Sequence, residues 1–461
     1  MANILKVGLA AGINPVVAPF VKAALFRAAA EAGRTIELIE DETELRKDAP
    51  TERLALGDAK ITALESVWRL QEKGCDVALI ANLRCEAYLA EVQTEVQMPI
   101  VSLYAGLTEA VQASDAKKVG LVGCALPVEV LRRHLPDVEF VEGEKLDCLN
   151  TTDEAVVREE AQKLLAAGAE VLVPVCGRVA GAAVNLKAEG LPFVDILSLA
   201  AKKAVAETPA RLPKPFKVGL IGGLGPAATV DLYDKIVKAT PAKNDQEHFK
   251  LVVEQNPQIP DRTACLLKGG DDPTLAMYGC ARRLQADGCD AVIIPCNTAH
   301  AFIPYLERHL GIPFINMQIA TIEEIKAKFG DAARIGLLAT SGTVQTGIYA
   351  EKAKALGLPM FVPDEEHQER VMAAIYGPVG AKAGFTTGQC RDDLVSAAEY
   401  LVKTYDCNCL ILGCTELPLI LDECDDFPCG GKTVSLIDPT SALARKVARV
   451  AQETNAERGT R

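Results

Sequence analysis

The sequence predicts an α/β protein of four parallel-sheet lobes grouped in two similar halves, and three observations predict it. First, residues 69–76 (RLQEKGCD) and 283–290 (RLQADGCD) repeat at an offset of 214. Each is followed by an apolar run, VALI or AVII, and later by Met98-Pro99-Ile100 or Ile312-Pro313-Phe314. Second, a β-branched residue followed by Gly-Leu opens an apolar run at Val7-Gly8-Leu9, Val119-Gly120-Leu121, Val218-Gly219-Leu220 and Ile335-Gly336-Leu337. Third, short apolar runs alternate with amphipathic stretches such as DPTLAMYGCARRLQADG (272–288). That alternation is the pattern of buried parallel strands joined by helical crossovers, so each lobe is expected to be Rossmann-like.

The division between the halves is read from TPARLPKP, residues 208–215, where Pro209, Pro213 and Pro215 forbid a continuous helix. The halves are then 1–208, with lobes of about 1–112 and 113–208, and 216–461, with lobes of about 216–330 and 331–461. A chain of 461 residues exceeds one compact core, and 49% apolar with only 5% aromatic residues suits helices on buried sheets. The net charge of −13 argues against nucleic acid or an anionic membrane as the main partner. The amino terminus, MANILKVGLAAGINPVV, lacks a charged leader region and is interrupted at Asn14 and Pro15. No stretch reaches the roughly 20 apolar residues of a membrane span, so the protein is read as cytoplasmic. Fifteen cysteines, an odd number set mostly in apolar runs, point to reduced thiols rather than a disulfide framework. Cys407 with Cys409 and Cys424 with Cys429 lack a second tight Cys or His pair, so no metal is expected.

Two of these thiols stand apart. Val218 to Ile335 is a spacing of 117 and Cys296 to Cys414 one of 118, so the two cysteines are equivalent positions in neighbouring lobes. Each ends an apolar run, in VIIPCNTAH (292–300) and LILGCTELP (410–418). Ligands of parallel sheets bind outside the carboxyl ends of strands. Two lobes related by a pseudo-twofold axis would therefore point both thiols into one cleft. Opposed, similar bases are what inversion of a tetrahedral carbon needs, because a proton leaves one face and another arrives on the opposite face. A thiol, with an ordinary pKa of about 8.5, becomes a usable base when amides or cations favour its anion. Cys-Asn-Thr and Cys-Thr-Glu, each expected at a strand end entering a helix, offer donors for a carboxylate. The plainer alternative is a pair of core cysteines, the common fate of free Cys, and it is accepted for the others.

The second half resembles the cofactor-independent aspartate/glutamate racemase superfamily, and within it the aspartate racemase branch. The motifs that carry the resemblance are IGGLGPAAT (221–229), IPDRT (259–263), PCNTAH (295–300), ATSGT (339–343), IYGPVGAKAG (375–384), LGCTELPL (412–419) and IDPT (437–440). The resemblance implies that Cys296 and Cys414 are the catalytic acid/base pair, with no cofactor. It implies that Asn297, Thr298, Thr340 and Thr415 surround the substrate carboxylate and amino group, and that Arg262 and Lys382 supply cations for a dicarboxylate. Lys382 stands two residues later than the family spacing places it. Glu416 is expected either to tune a thiol or to cap the following helix, and His300 either to assist or to lie on a helix surface.

Carried back by 214, Cys296 becomes Asn82, and CNTAH becomes NLRCE (82–86). The second cysteine survives as Cys176, but Cys-Thr-Glu has become Cys-Gly-Arg (176–178), and the GGLGP opening has become AAGIN (10–14). An amide is no base, so the first half is expected to be a degenerate racemase-like unit. It is a structural partner in an intrachain pseudo-dimer, then a non-catalytic binder, then a one-sided proton donor, in that order, and Arg53, Arg84 and Arg178 keep an anion site in view. Further homo-oligomerisation is compatible with this arrangement. The expected activity is interconversion of L- and D-aspartate, with glutamate as a near relative. The rivals are a dicarboxylate isomerase or decarboxylase and an amino-acid sensor. Cys296→Ser and Cys414→Ser should each abolish racemisation, and Cys176→Ser should leave the rate intact; an equal loss in all three, measured by optical rotation, would refute this division of labour.

Overall fold

The computed structural model describes residues 4–46, 50–123, 128–144, 146 and 153–460. The chain divides into two compact units, Met1–Pro213 and Lys214–Arg461. In the first unit β1 (Leu5–Ala10), β2 (Ile36–Asp41) and β3 (Val77–Ile80) form a parallel sheet in the order β2-β1-β3. A second sheet, β5-β4-β6, is built from β4 (Lys118–Val122), β5 (Glu139–Glu142) and β6 (Val171–Pro174). The second unit repeats the pattern with β7 (Lys217–Gly222), β8 (Lys250–Gln255) and β9 (Ala291–Ile293) in the order β8-β7-β9. Its other sheet runs β11-β10-β12-β14-β13, from β10 (Ile335–Ala339), β11 (Met360–Phe361), β12 (Cys409–Gly413), β13 (Cys424–Cys429) and β14 (Lys432–Ile437). Only the β13–β14 pair is antiparallel among the described strands.

The four β-branched-Gly-Leu motifs fall in β1, β4, β7 and β10, the first strand of each sheet, and the glycine has a packing reason. A Cβ on Gly336 would lie 2.5 Å from Leu410, and one on Gly219 would lie 2.9 Å from Leu284, so each bare backbone admits the neighbouring side chain. A hydrogen-bonding device also recurs. A backbone N–H within one residue of the start of each first strand donates to a side chain just before the third strand of its sheet. The pairs are Lys6 to Asp76 (2.8 Å), Lys118 to Glu170 (3.1 Å), Lys217 to Asp290 (2.9 Å) and Arg334 to Asn408 (2.9 Å). Carboxylate and carboxamide interchange there because each needs only to accept.

Within each unit the two sheets exchange helices. The helix Met317–Phe329 follows the β7–β9 sheet, yet its Ile322 and Ile325 are buried with Ile335, Leu337 and Ile411 of the next sheet. The helix Pro439–Arg458 follows β14 and returns the other way, burying Leu443, Ala444, Val447 and Ala451 with Val218, Leu220 and Ile293. In the first unit Ile196, Ala200 and Ala204 of the helix Ile196–Ala206 lie in the core of β1 with Leu5, Val7 and Leu25. Each fully buried aliphatic side chain is worth roughly 1.5–3 kcal/mol, so the exchange ties both sheets into one cooperative unit.

One local expectation is corrected. Cys296 and Cys414 do not enter α-helices: the segments that follow are the 3-10 turns Thr298–Ala301 and Leu417–Leu419. Pro304 lies at the start of the short α-helix Ile303–Glu307 beyond the first turn, and Pro418 lies at the start of the second. By contrast Cys176 does precede a true α-helix, Gly177–Ala188. The thirteen described cysteines are free. Among the described residues no group of three or more His, Cys, Asp and Glu side chains is placed to hold a metal ion, and no helix is long and apolar enough to cross a membrane.

Candidate active site

In the second unit the carboxyl ends of β9, β10 and β12 open on one small cleft. It is lined by Cys296, Asn297, Thr298, Thr340, Cys414, Thr415 and Glu416, with Arg262 and Lys382 at its sides. Both thiols are nearly buried, Cys296 at 8% and Cys414 at 7% exposure. Nine of the ten residues singled out from sequence therefore meet in one place; His300 does not line it.

The two thiols sit in unlike surroundings. Cys414 Sγ donates to Glu416 Oε2 at 2.9 Å, and Glu416 Oε1 accepts from Lys382 Nζ at 2.7 Å. Burial, and then the adjacent Glu416 carboxylate, push the Cys414 thiol well above its ordinary range. Burial alone would raise Glu416 too, but the Lys382 ammonium and the Cys414 hydrogen bond outweigh it and hold the carboxyl below its usual value. The wall around Cys414 is thus a neutral thiol on an ionised pair. Glu416 makes no capping bond to the 3-10 turn it precedes, which removes the capping alternative. Lys382, expected as a free cation, is bound to Glu416, and its ring contact is with Tyr376 at 5.3 Å.

Arg262 stands on the Cys296 side. It begins the short helix Arg262–Lys268, whose cap is Asp261. Its terminal nitrogens donate to the carbonyls of Leu224 (2.7 Å) and Pro260 (3.0 Å), while its buried Nε has no partner. Burial disfavours its charge, but the neighbouring Cys296 sulfur and Asp261 more than offset this. Asn297 is similar: its Oδ1 accepts from Tyr349 at 2.5 Å, and its buried Nδ2 has no partner. Two orphaned donors in one cleft call for acceptors on a ligand, since an unpaired buried N–H costs about 1–3 kcal/mol. The hydroxyls of Thr298 and Thr340, which line the cleft, form a triangle with that of Thr343, with edges of 2.9–3.1 Å. Thr415 adds a hydroxyl that donates to Glu416 at 3.4 Å.

His300 is a building residue. Its Nδ1–H donates to the Cys296 carbonyl at 2.9 Å, and its Nε2 accepts from the Met317 N–H at 3.1 Å, so both ring nitrogens are spent on backbone. In the first unit Glu86 replaces it and accepts from the Leu103 N–H at 2.7 Å, the same bond at the 214 offset. Sequence reading passed over Tyr376, Thr263 and Thr343, although all three lie inside quoted motifs; what singles them out is where they converge, which spacing does not record. At the equivalent place in the first unit the described residues differ. A side chain at Gly177, where Thr415 stands in the second unit, would meet fully buried Val17 at 2.3 Å. Asn82 uses its oxygen to cap its own turn at Arg84, Arg53 and Arg84 are exposed, and Arg178 is half-buried.

Paired lobes with two thiols and unpartnered donors among the residues lining their strand ends have the form of a small-molecule site. Residues 221–447 match the model of the Asp/Glu/Hydantoin racemase family, and the second unit is a racemase domain of that family. The broad specificity amino-acid racemase RacX of Bacillus subtilis (strain 168) is 25% identical over 236 residues, covering 50% of this chain and 95% of its own. A glutamate racemase of Shewanella sp. (strain MR-4) is 32% identical over 171 residues, covering 36% of this chain and 57% of that protein. Among solved structures, the aspartate racemase of Picrophilus torridus is 29% identical, with a TM-score of 0.43 over 51% of this chain and 94% of that one.

His300 carries a pH consequence. Burial holds it neutral and lowers its pKa from 6.5 to about 4. As pH falls the unfolded chain binds this proton first, so its contribution is intact above 6.5 and is lost between 6.5 and about 4, roughly 3 kcal/mol in all. Urea unfolding of wild type should weaken more steeply from pH 7 to 4.5 than that of His300→Gln; equal slopes would contradict this.

Proposed function

We propose that the second unit racemises aspartate by proton transfer between Cys296 and Cys414, with no cofactor. The observation that carries the reading is the pair of equivalent thiols in one cleft with the orphaned donors Asn297 Nδ2 and Arg262 Nε. One sulfur, as thiolate, takes the α-proton; the other, as thiol, returns one to the opposite face, and general acid–base help of this kind is worth about 10²–10⁴ in rate. The carboxylate, held by Asn297 and the threonine hydroxyls, takes up the carbanion charge. With Lys382 committed to Glu416, Arg262 is the main cation for the distal carboxylate, which favours an acidic over a neutral amino acid. Glutamate is the second reading, on the 32% identity to a glutamate racemase. The first unit is read as a structural partner without turnover, because Val17 occupies the space of the missing Thr415 side chain.

Incubation with L-aspartate in deuterium oxide should give α-deuteration and loss of optical rotation together. Inversion of glutamate alone would move the substrate, and no exchange with any acidic amino acid would sink the reading, leaving a sensor. Glu416 touches Cys414 and not Cys296 among the contacts seen, so Glu416→Gln should act on one wall. Because the equilibrium constant of racemisation is one, kcat/KM must fall equally for both enantiomers, by about tenfold to a hundredfold. The asymmetry appears instead as exchange without inversion from one enantiomer; symmetric exchange would show that Glu416 serves both thiols.

A further inference from the structure

Tyr349 is fully buried, its ring in the apolar cluster of Ile322, Ile325, Leu337 and Ala339. It lies on the helix Ile348–Ala355, in the lobe that carries Cys414, and does not line the cleft. Its hydroxyl crosses to the other lobe and meets Asn297 Oδ1 at 2.5 Å. The nearby Thr321 hydroxyl donates its proton to the Met317 carbonyl at 2.8 Å, and the Tyr349 proton goes to Asn297. With the amide oxygen so held, the two N–H bonds of Nδ2 of Asn297, a residue that lines the cleft, are left without a protein acceptor. The Asn297 backbone is fixed as well, its carbonyl accepting from Gln318 Nε2 at 3.2 Å.

We propose that Tyr349 is a positioning residue for the reaction: its hydroxyl sets the face of the Asn297 carboxamide so that donors, not the oxygen, meet the substrate carboxylate. A flipped amide would aim a lone pair at that anion and turn an attraction into a repulsion. The bond also couples the lobes, since the residue next to Cys296 takes its orientation from the lobe of Cys414. The first unit lacks this arrangement: at the offset of 214, Asn297 becomes Leu83, a core residue of 1% exposure. This inference rests on the racemase reading for its substrate, but not for the contact itself.

Tyr349→Phe removes one oxygen and keeps the ring. For aspartate it should raise KM and lower kcat/KM by about tenfold, with kcat less affected. In an Asn297→Ala background the same change should have no further effect, because Tyr349 acts through Asn297. An unchanged KM, or an undiminished tenfold loss in the Asn297→Ala background, would overturn the proposal. If the wild-type protein exchanges no amino acid, the racemase reading fails, and the side-chain amide ¹H–¹⁵N signals of Asn297 judge the contact separately. A shift of that pair in Tyr349→Phe supports it, and an unmoved pair overturns it.

Discussion

In each unit the helix that leaves one sheet is buried on the other, and the rest of the structure depends on that exchange. Ile322 and Ile325 belong to the core of β10 although their helix follows the β7–β9 sheet, and Leu443 and Val447 do the reverse. Parallel sheets buried on both faces cannot slide without exposing these side chains. The carboxyl ends of β9, β10 and β12 are thereby fixed around one cleft, and groups from lobes distant in sequence, Cys296 and Cys414 among them, line it together.

Equivalent position has not produced equivalent surroundings. Around Cys414 an ion pair of Lys382 and Glu416 takes a thiol hydrogen bond, and burial reinforces the neutral form. Around Cys296 the neighbour is Arg262, tied to loop carbonyls. One thiol is thus held in its neutral form, and a guanidinium stands beside the other. Two identical walls would not distinguish acid from base.

The first unit retains the folding devices, while the residues at its strand ends differ. The strand-start bonds from Lys6 to Asp76 and Lys118 to Glu170 match those of the second unit, and Glu86 reproduces the His300 link with a different acceptor. What changed is at the strand ends: a thiol became Asn82, a hydroxyl side chain became Gly177, and Val17 fills the space.

The repeat at 214, the four Gly-Leu strands and the two thiols at matching places were legible in the sequence because they depend on local pattern and spacing, and these also determined the α/β class and the parallel sheets. The site was less legible. The family resemblance assigned Lys382 to the substrate, and the fold binds it to Glu416; the PCNTAH motif left His300 open, and the fold spends both its nitrogens on backbone. Tyr349 and Thr343 carried no signal of their own, since an aromatic residue and a threonine near a helix start are ordinary in sequence. Their meaning comes from neighbours 52 and 45 residues away, Asn297 and Thr298. Sequence alone determined which chemical groups the chain owns and that two of them are paired by symmetry. Only the tertiary structure decided which of them are left with a free donor or a shared proton, because hydrogen-bond partners and burial are set by contacts between segments that no spacing rule connects.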